Sequence, residues 1–228
     1  MDIGKNITDS LRYPSQDWVK IIILAVISII PIVNFMSGGY YLRIIKSTLA
    51  GLEEIPEFDD LVELFIDGIK LLIVGIIYFI IPFIFIVIGV ALSAGGLFFG
   101  TLIFVIVGLV SFFLISIIGL TGVVNMAYYD SDIGAALRFH EIIERIETIG
   151  WGNYISYIIV LWIVLFVLGA IIGFISSILT FILIGFVLYF IGSAYLLMFQ
   201  ARSVALIFAE SEQILSESLE PRNHSEME

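Results

Sequence analysis

The chain has 228 residues, 61% of them hydrophobic and only 14% charged, with a formal net charge of −11 and no cysteine. A soluble domain of this length carries roughly a quarter charged residues and needs a polar surface that this composition does not supply. The counts also exclude disulfides, thiolate metal sites and cysteine nucleophiles, and ten scattered Lys and Arg with no basic patch give no support to nucleic-acid binding.

In chain order, the N-terminal 20 residues read as an interfacial segment ending in Trp18 and Lys20, an aromatic and a basic anchor for the headgroup level. They are too long and too mixed in charge for a signal-peptide n-region, and no A-x-A site follows. A hydrophobic block over 18–42 comes next, broken by Pro31 and Gly38-Gly39. It either crosses the membrane, making five spans, or re-enters at Pro31–Gly39; five spans is the arrangement expected on general frequency. From Lys46 to Lys70 the chain is polar and acidic, with Glu53, Glu54, Glu57, Asp59, Asp60, Glu63 and Asp67. Pro56 interrupts this stretch, and Phe58, Leu61, Leu64 and Phe65 predict a short helix with one apolar side.

No charged residue occurs from Leu71 to Tyr129. That run rises about 88 Å as helix, and a crossing takes about 20 residues, so it is a hairpin of spans over 69–126 turning at Gly95-Gly96. It is apolar on every face, unlike the alternating strands of a β-barrel. In Asp132–Ile149, Ala135, Phe139, Ile142, Ile143, Ile146 and Ile149 recur at helical spacing; Asp130 or Ser131 is the expected cap, and Glu141 with Arg145 an i,i+4 pair. A second hairpin covers 153–202, within a run free of charge from Thr148 to Ala201, with its turn near Ser176-Ser177, and residues 211–228 form an acidic tail expected to be flexible. Residues 1–210 thus read as a single helical membrane domain. Glu63–Tyr78 can be laid beside Glu147–Trp162, with Gly68 opposite Gly152, a match too thin to establish a repeat.

The fold class is therefore an all-α integral membrane protein, with about five transmembrane helices, or four plus a re-entrant N-terminal hairpin, and two cytoplasmic amphipathic segments. Arg43, Lys46, Lys70, Arg138, Arg145, Arg202 and Arg222 flank the polar stretches and the tail, whereas neither hairpin turn is charged. The positive-inside rule places those stretches and the C-terminus in the cytoplasm of a cell-membrane protein. Lys5, Arg12 and Lys20 lie outside under the five-span arrangement and inside under the re-entrant one.

The long runs lack Asp, Glu, Lys, Arg and His; beyond Ser, Thr and Tyr, attention falls on Asn125 and Asn153. Proton relays and most ion-coupled carriers need an ionisable group at depth, so coupled transport is not expected. His140 and Glu144 stand one turn apart, but a metalloprotease helix needs two His around its Glu; no metal, cofactor or catalytic constellation is assigned, and no enzyme is expected. Gly96-x-x-x-Gly100 and Gly169-x-x-x-Gly173 offer close helix approach and a possible homo-oligomer face. Asn6-Ile7-Thr8 and Asn223-His224-Ser225 match the glycosylation sequon.

One string is more specific. Gly39-Tyr40, Arg43, Gly51, Pro56-Glu57-Phe58-Asp59-Asp60 and Leu64-Phe65-Ile66-Asp67-Gly68-Ile69-Lys70, followed by Gly134-Ala135-Ala136-Leu137-Arg138-Phe139, resembles an uncharacterised prokaryotic membrane family, well represented in archaea and catalogued as domain-of-unknown-function family 4013. Leu61 and Leu137 depart from aromatics expected there. The resemblance implies fold and membrane location but no activity. It singles out Gly39, Tyr40, Arg43, Gly51, Pro56, Phe58, Asp59, Asp67, Gly68, Lys70, Gly134, Ala135 and Phe139. Physically, Gly39 and Gly51 permit sharp backbone approaches, Pro56 sets an extended entry, Phe58 and Phe65 plug a helix end, and Arg43 has Asp59, Asp60 or Asp67 as partners. The leading expectation is a non-enzymatic scaffold, assembly or lipid-contacting factor, with membrane lipids and a basic protein at the acidic segment as partners. The runner-up is a small uncoupled permease or channel-like subunit with its path between the hairpins.

Overall fold

The computed structural model describes residues 2–180 and 184–219, and the described elements are helical. Their order is α1 (Ile3–Arg12), α2 (Trp18–Ile29), α3 (Phe35–Leu49), α4 (Leu61–Ala94), α5 (Phe98–Tyr128), α6 (Phe139–Ile149), α7 (Trp151–Leu179) and α8 (Ile184–Leu219), with single 3-10 turns at Pro14–Gln16 and Ala135–Leu137. Four helices, α4, α5, α7 and α8, are long and apolar enough to cross a membrane.

The first hydrophobic block is not one long helix but a pair of short ones that double back on each other. Helix α2 has 12 residues, about 18 Å, well short of a ~30 Å hydrocarbon core. It starts on Asp17, whose carboxylate accepts from the Val19 and Lys20 amides at 2.9 and 3.2 Å. It stops before Pro31, which biases Ile30 to extended backbone. The chain turns through 30–34 and returns as α3, the two helices joined by a 3.0 Å Ser28–Ser37 hydroxyl contact. Both outer ends of this pair reach the same loop: the Lys20 ammonium donates to the Ile55 carbonyl at 2.7 Å, and Arg43 to the Asp59 carbonyl at 2.6 Å. The N-terminus joins them there, because Asn6 and Ser203 exchange hydrogen bonds and the Tyr195 hydroxyl donates to the Leu11 carbonyl. Lys5, Arg12 and Lys20 therefore stand at the same end as the other described basic residues, and Asn6 of the first sequon is engaged within the fold. Asn223 and Arg222 lie outside the described residues.

The core sits at this charged end. Tyr40, Leu42, Ile44, Ile45, Tyr157, Met198 and Phe199 are fully buried there. Toward the opposite ends the two hairpins, α4–α5 and α7–α8, present their apolar side chains outward, as with Phe99, Phe166 and Phe174 at 78%, 76% and 68% exposure. Each hairpin packs along itself, while contacts between them run through α3, α6 and the charged ends of α5 and α8, and directly between α5 and α7, where the Thr121 and Tyr154 hydroxyls meet at 2.7 Å and Phe113 lies edge-on to Trp162 at 5.5 Å.

Several local expectations change. No separate short helix forms around Phe58: α4 runs without a break from Leu61 to Ala94. Helix α6 begins at Phe139, seven residues after Asp132, because Asp130 and Ser131 take left-handed backbone instead of capping. Ser176 and Ser177 lie inside α7, which runs to Leu179, and Ser177 back-bonds to the Phe174 carbonyl at 2.7 Å. Helix α8 continues past 210 to Leu219 with Ser211 buried, so the segment read as a tail begins as helix.

Candidate functional site

The motif residues converge where α3 crosses α4. A Cβ on Gly39 would overlap the Leu64 carbonyl, and a Cβ on Gly68 would overlap that of Phe35. The two backbones touch, which only glycine allows. Neither expected G-x-x-x-G pair does this: Gly96 is a turn residue with φ +74°, and nothing lies within 4 Å of a Cβ on Gly173. Gly152 also faces open space, so it has no structural equivalence to Gly68.

Beyond this crossing α3 ends in a Schellman turn. Gly51, at φ +76°, donates to Thr48 and Leu52 donates to Ser47, both at 3.0 Å. The following loop runs extended, and side chains from separate helices claim its carbonyls one after another. Arg202 of α8 takes Leu52 at 2.8 Å, Tyr13 takes Glu54 at 3.4 Å, and Lys20 of α2 takes Ile55. Tyr40 takes Pro56 at 2.8 Å, and Arg43 takes Glu57 at 3.2 Å together with Asp59. The Phe58 ring stacks on Tyr40, centroids 3.9 Å apart and 10° from parallel. Arg43 also pairs with the Asp59 carboxylate at 2.5 Å and with Glu63 at 3.4 Å. Of the three acids expected to meet Arg43, Asp59 does.

Asp67 serves a different cluster. It is 5% exposed, and its carboxylate accepts from Ser131 at 2.6 Å, Lys46 at 3.2 Å and Lys70 at 3.1 Å. Lys46 also reaches Asp130 at 2.8 Å. Burial works against the Lys46 charge, but the hydrogen bonds and charges of Asp130 and Asp67 outweigh it and hold its pKa above the ordinary value. The Lys46 hydrogen bond, with its charge, holds the Asp130 carboxyl below the usual carboxylate range. This network pins the two left-handed residues that lead into Gly134 and Ala135. The carbonyls of Ala135 and Ala136 then point into the bundle, where Asn125 donates to the first at 3.0 Å and the Tyr78 hydroxyl to the second. Gly134 closes an Asx turn, its amide donating to Asp132 at 3.1 Å, and the Phe139 ring meets Tyr78 edge-on at 6.3 Å.

A second ionic cluster lies on α6. Arg145, 5% exposed, pairs with Glu141 at 3.1 Å and with Glu212 of α8, its guanidinium 4.2 Å from the Phe208 ring centroid. Glu141 is held below its ordinary pKa: burial raises it, and hydrogen bonds from Tyr129 and Arg145 overcome that. His140 and Glu144 form no ligand set, and among the described residues no group of three His, Asp or Glu is placed to hold a metal.

Space lies between the hairpins, where the permease reading puts its path, but the sequence does not indicate which residues line it. Two adjoining cavities, about 290 and 420 Å³, separate α4 from α7 and α8. Their walls include Gly75, Phe79 and Trp162 in the first, Leu71 and Leu165 in the second, and Gln200 in both. The walls are predominantly apolar and lie in the charge-free lengths of the helices. Gln200 stands two positions before Arg202, and Leu71 directly after Lys70, so the amide marks the head end of the cleft. The signal for it was one amide in an otherwise apolar run.

A family model described as "Protein of unknown function (DUF4013)" matches residues 23–177, and the chain belongs to that family. No curated protein and no solved structure matches it.

Proposed function

Starting from a family whose description assigns no activity, we propose that this protein is a non-enzymatic, lipid-contacting membrane scaffold that seats apolar lipid chains in the cleft between its hairpins. The observation that carries the reading is the cleft. Its walls are predominantly apolar, it lies among the charge-free lengths of the helices where lipid is the surrounding medium, and its volume lies in the range of small-molecule sites. The clamped loop, the Asp67 network and the Ala135–Leu137 turn close over the charged end, which weighs against an aqueous path and so against an uncoupled permease. The same rigid end is the docking platform, and by the positive-inside rule it faces the cytoplasm of the cell membrane together with the C-terminus. Its exposed acids Glu53, Glu54, Glu57 and Asp59 suit a basic protein partner.

Trp162 reports on the cleft. With Trp18→Phe and Trp151→Phe it becomes the sole tryptophan. In nanodiscs of phospholipid brominated along its chains, its fluorescence is quenched. Gly75→Leu, which projects into space with nothing within 4 Å of its Cβ, relieves that quenching. Quenching that is indifferent to the filled cleft, or solute-selective flux by the reconstituted protein, overturns the reading.

A further inference from the structure

On the outer side of the charged end, away from the cleft, α1 and the loop after α3 enclose a polar cavity of about 230 Å³ lined by Asp9, Arg12, Tyr13, Gln16, Glu53 and Arg202. Its two arginines are exceptional. Arg43, Arg138 and Arg145 each pair with carboxylates. Among the described residues, Arg12 and Arg202 have no carboxylate within ion-pair distance, in a chain with 21 Asp and Glu. Arg202 is held in place: one nitrogen donates to the Leu52 carbonyl and, at 3.0 Å, to the Thr48 hydroxyl, and the guanidinium sits 5.0 Å from the ring centroid of Tyr13. Tyr13 is 1% exposed and forms the floor.

The depth of the cavity is set by its neighbours. Trp18, two residues after Gln16, is 57% exposed and lies 6.5 Å from the Tyr195 ring, and Val19 is 65% exposed. An exposed tryptophan at the start of an apolar helix marks the headgroup level. The anions available there are lipid phosphates, for which planar guanidinium groups are the preferred ligands. Asp9 and Glu53 share the cavity, so a ligand carrying only negative charge meets two carboxylates as well as two guanidiniums.

We propose that this cavity binds a zwitterionic phospholipid headgroup, its phosphate on Arg12, Arg202 and Gln16 and its ammonium on Asp9 and Glu53. The site is independent of the cleft, shares none of its residues, and stands or falls separately from it.

The test uses the full chain, purified in detergent and incubated with equimolar phosphatidylethanolamine and phosphatidylglycerol of identical chains. Lipid retained after capture is quantified by mass spectrometry, with melting temperature as the control for folding. Phosphatidylethanolamine is retained preferentially. Arg12→Gln, at an exposed position with no other side-chain partner among the described residues, lowers that retention about tenfold, the loss of one charge-assisted contact. The double variant Asp9→Asn/Glu53→Gln shifts the preference toward phosphatidylglycerol. A parallel arm adds soluble phosphoethanolamine: displacement of the lipid assigns recognition to the headgroup alone, and Arg12-dependent retention without displacement assigns it to the intact lipid, either supporting the site. Wild-type retention by folded Arg12→Gln, or equal retention of the two lipids by the wild type, overturns it.

Discussion

Replacing Gly68 with alanine adds one methyl group at the point where α3 and α4 touch, and the structure dictates a large effect. The new Cβ would overlap the Phe35 carbonyl and stand 3.1 Å from the Gly39 amide nitrogen. Both obstacles are backbone, so no rotamer change relieves them and the helices must separate. Overpacking of a side-chain core costs about 1–3 kcal/mol; a backbone clash belongs at or above the top of that range, about 3 kcal/mol. Separation also pulls Lys46 from Asp67, since one is carried on each helix. For a chain of this size each kcal/mol moves the melting temperature by about 2–4 °C, which gives a fall of about 6–12 °C in detergent, followed by fluorescence-detected size exclusion after heating. Gly75→Ala, one helix segment further along α4 with nothing within 4 Å of its Cβ, leaves the melting temperature unchanged. Equal behaviour of the two variants would refute the claim that α3 and α4 are joined backbone to backbone.

Tyr40→Phe keeps the stack on Phe58 and loses the hydroxyl bond to Pro56, a cost of about 1 kcal/mol in the same assay; Tyr40→Ala, which loses both, costs several times more. Asp67→Asn leaves Lys46 and Lys70 facing an uncharged amide, and because both lysines are partly solvated the loss is about 2 kcal/mol, below the value for a fully buried pair; melting temperatures measure it. The pH dependence follows from two shifts of opposite sense. Asp130 is depressed in the folded state, so its contribution is present above its ordinary value of 3.8 and is lost as pH falls through the lower folded value. Lys46 is raised, so its contribution is full below 10.5 and is lost as pH rises through the higher folded value. The contribution of this pair to the melting temperature is flat between these limits, and Asp130→Asn abolishes the part of the acid-side loss due to it. With no native cysteine, single cysteines at Ser15, Ser93, His140 and Ser177 report topology by one-sided labelling. Ser15 and His140 label together from the side opposite to Ser93 and Ser177, whereas Ser15 labelling with Ser93 contradicts the re-entrant N-terminus.

The four long helices were legible because charge-free length is a direct demand of the bilayer, and Leu71–Tyr129 can meet it only as two crossings. The Glu141–Arg145 pair was legible because i,i+4 spacing is local. What escaped was decided by distant partners. The apolar spacing from Ala135 predicts helix, but Asn125 and Tyr78 bond the carbonyls of Ala135 and Ala136, and these bonds accompany a single 3-10 turn. Phe58 has helical spacing to Leu61 and Phe65, yet the loop carbonyls go to five different side chains and hold it extended. Gly39 and Gly68 were identified by resemblance, but their mutual contact depends on a crossing that no spacing encodes. The cleft is left where the two hairpins, joined at Phe113–Trp162 and Thr121–Tyr154, do not meet along the rest of their length, and a single sequence carries no record of contacts not made. Glu212 illustrates a further limit: an acid in a Ser-rich acidic segment becomes structured only through Arg145, 67 positions earlier in the chain.

The clamped loop also sets an order of assembly. Its Leu52 carbonyl is claimed by an arginine 150 residues further along the chain, and Asn6 finds Ser203 after 197 residues. At a synthesis rate of about 5–20 residues per second, the loop waits about 8–30 s after it emerges before Arg202 exists. For most of that interval α2, a helix too short to cross a bilayer, lacks its partner α8, which begins at Ile184. Helix α8 thus completes the packing of α1 and α2, and a ribosome that stalls between α7 and α8 leaves a nascent chain with the α4–α5 hairpin made and the Leu52 carbonyl unclaimed. The carbonyls of Glu54, Ile55, Pro56, Glu57 and Asp59 find their partners in residues already made, so it is the Leu52 end of the loop alone that closes when translation has passed Arg202.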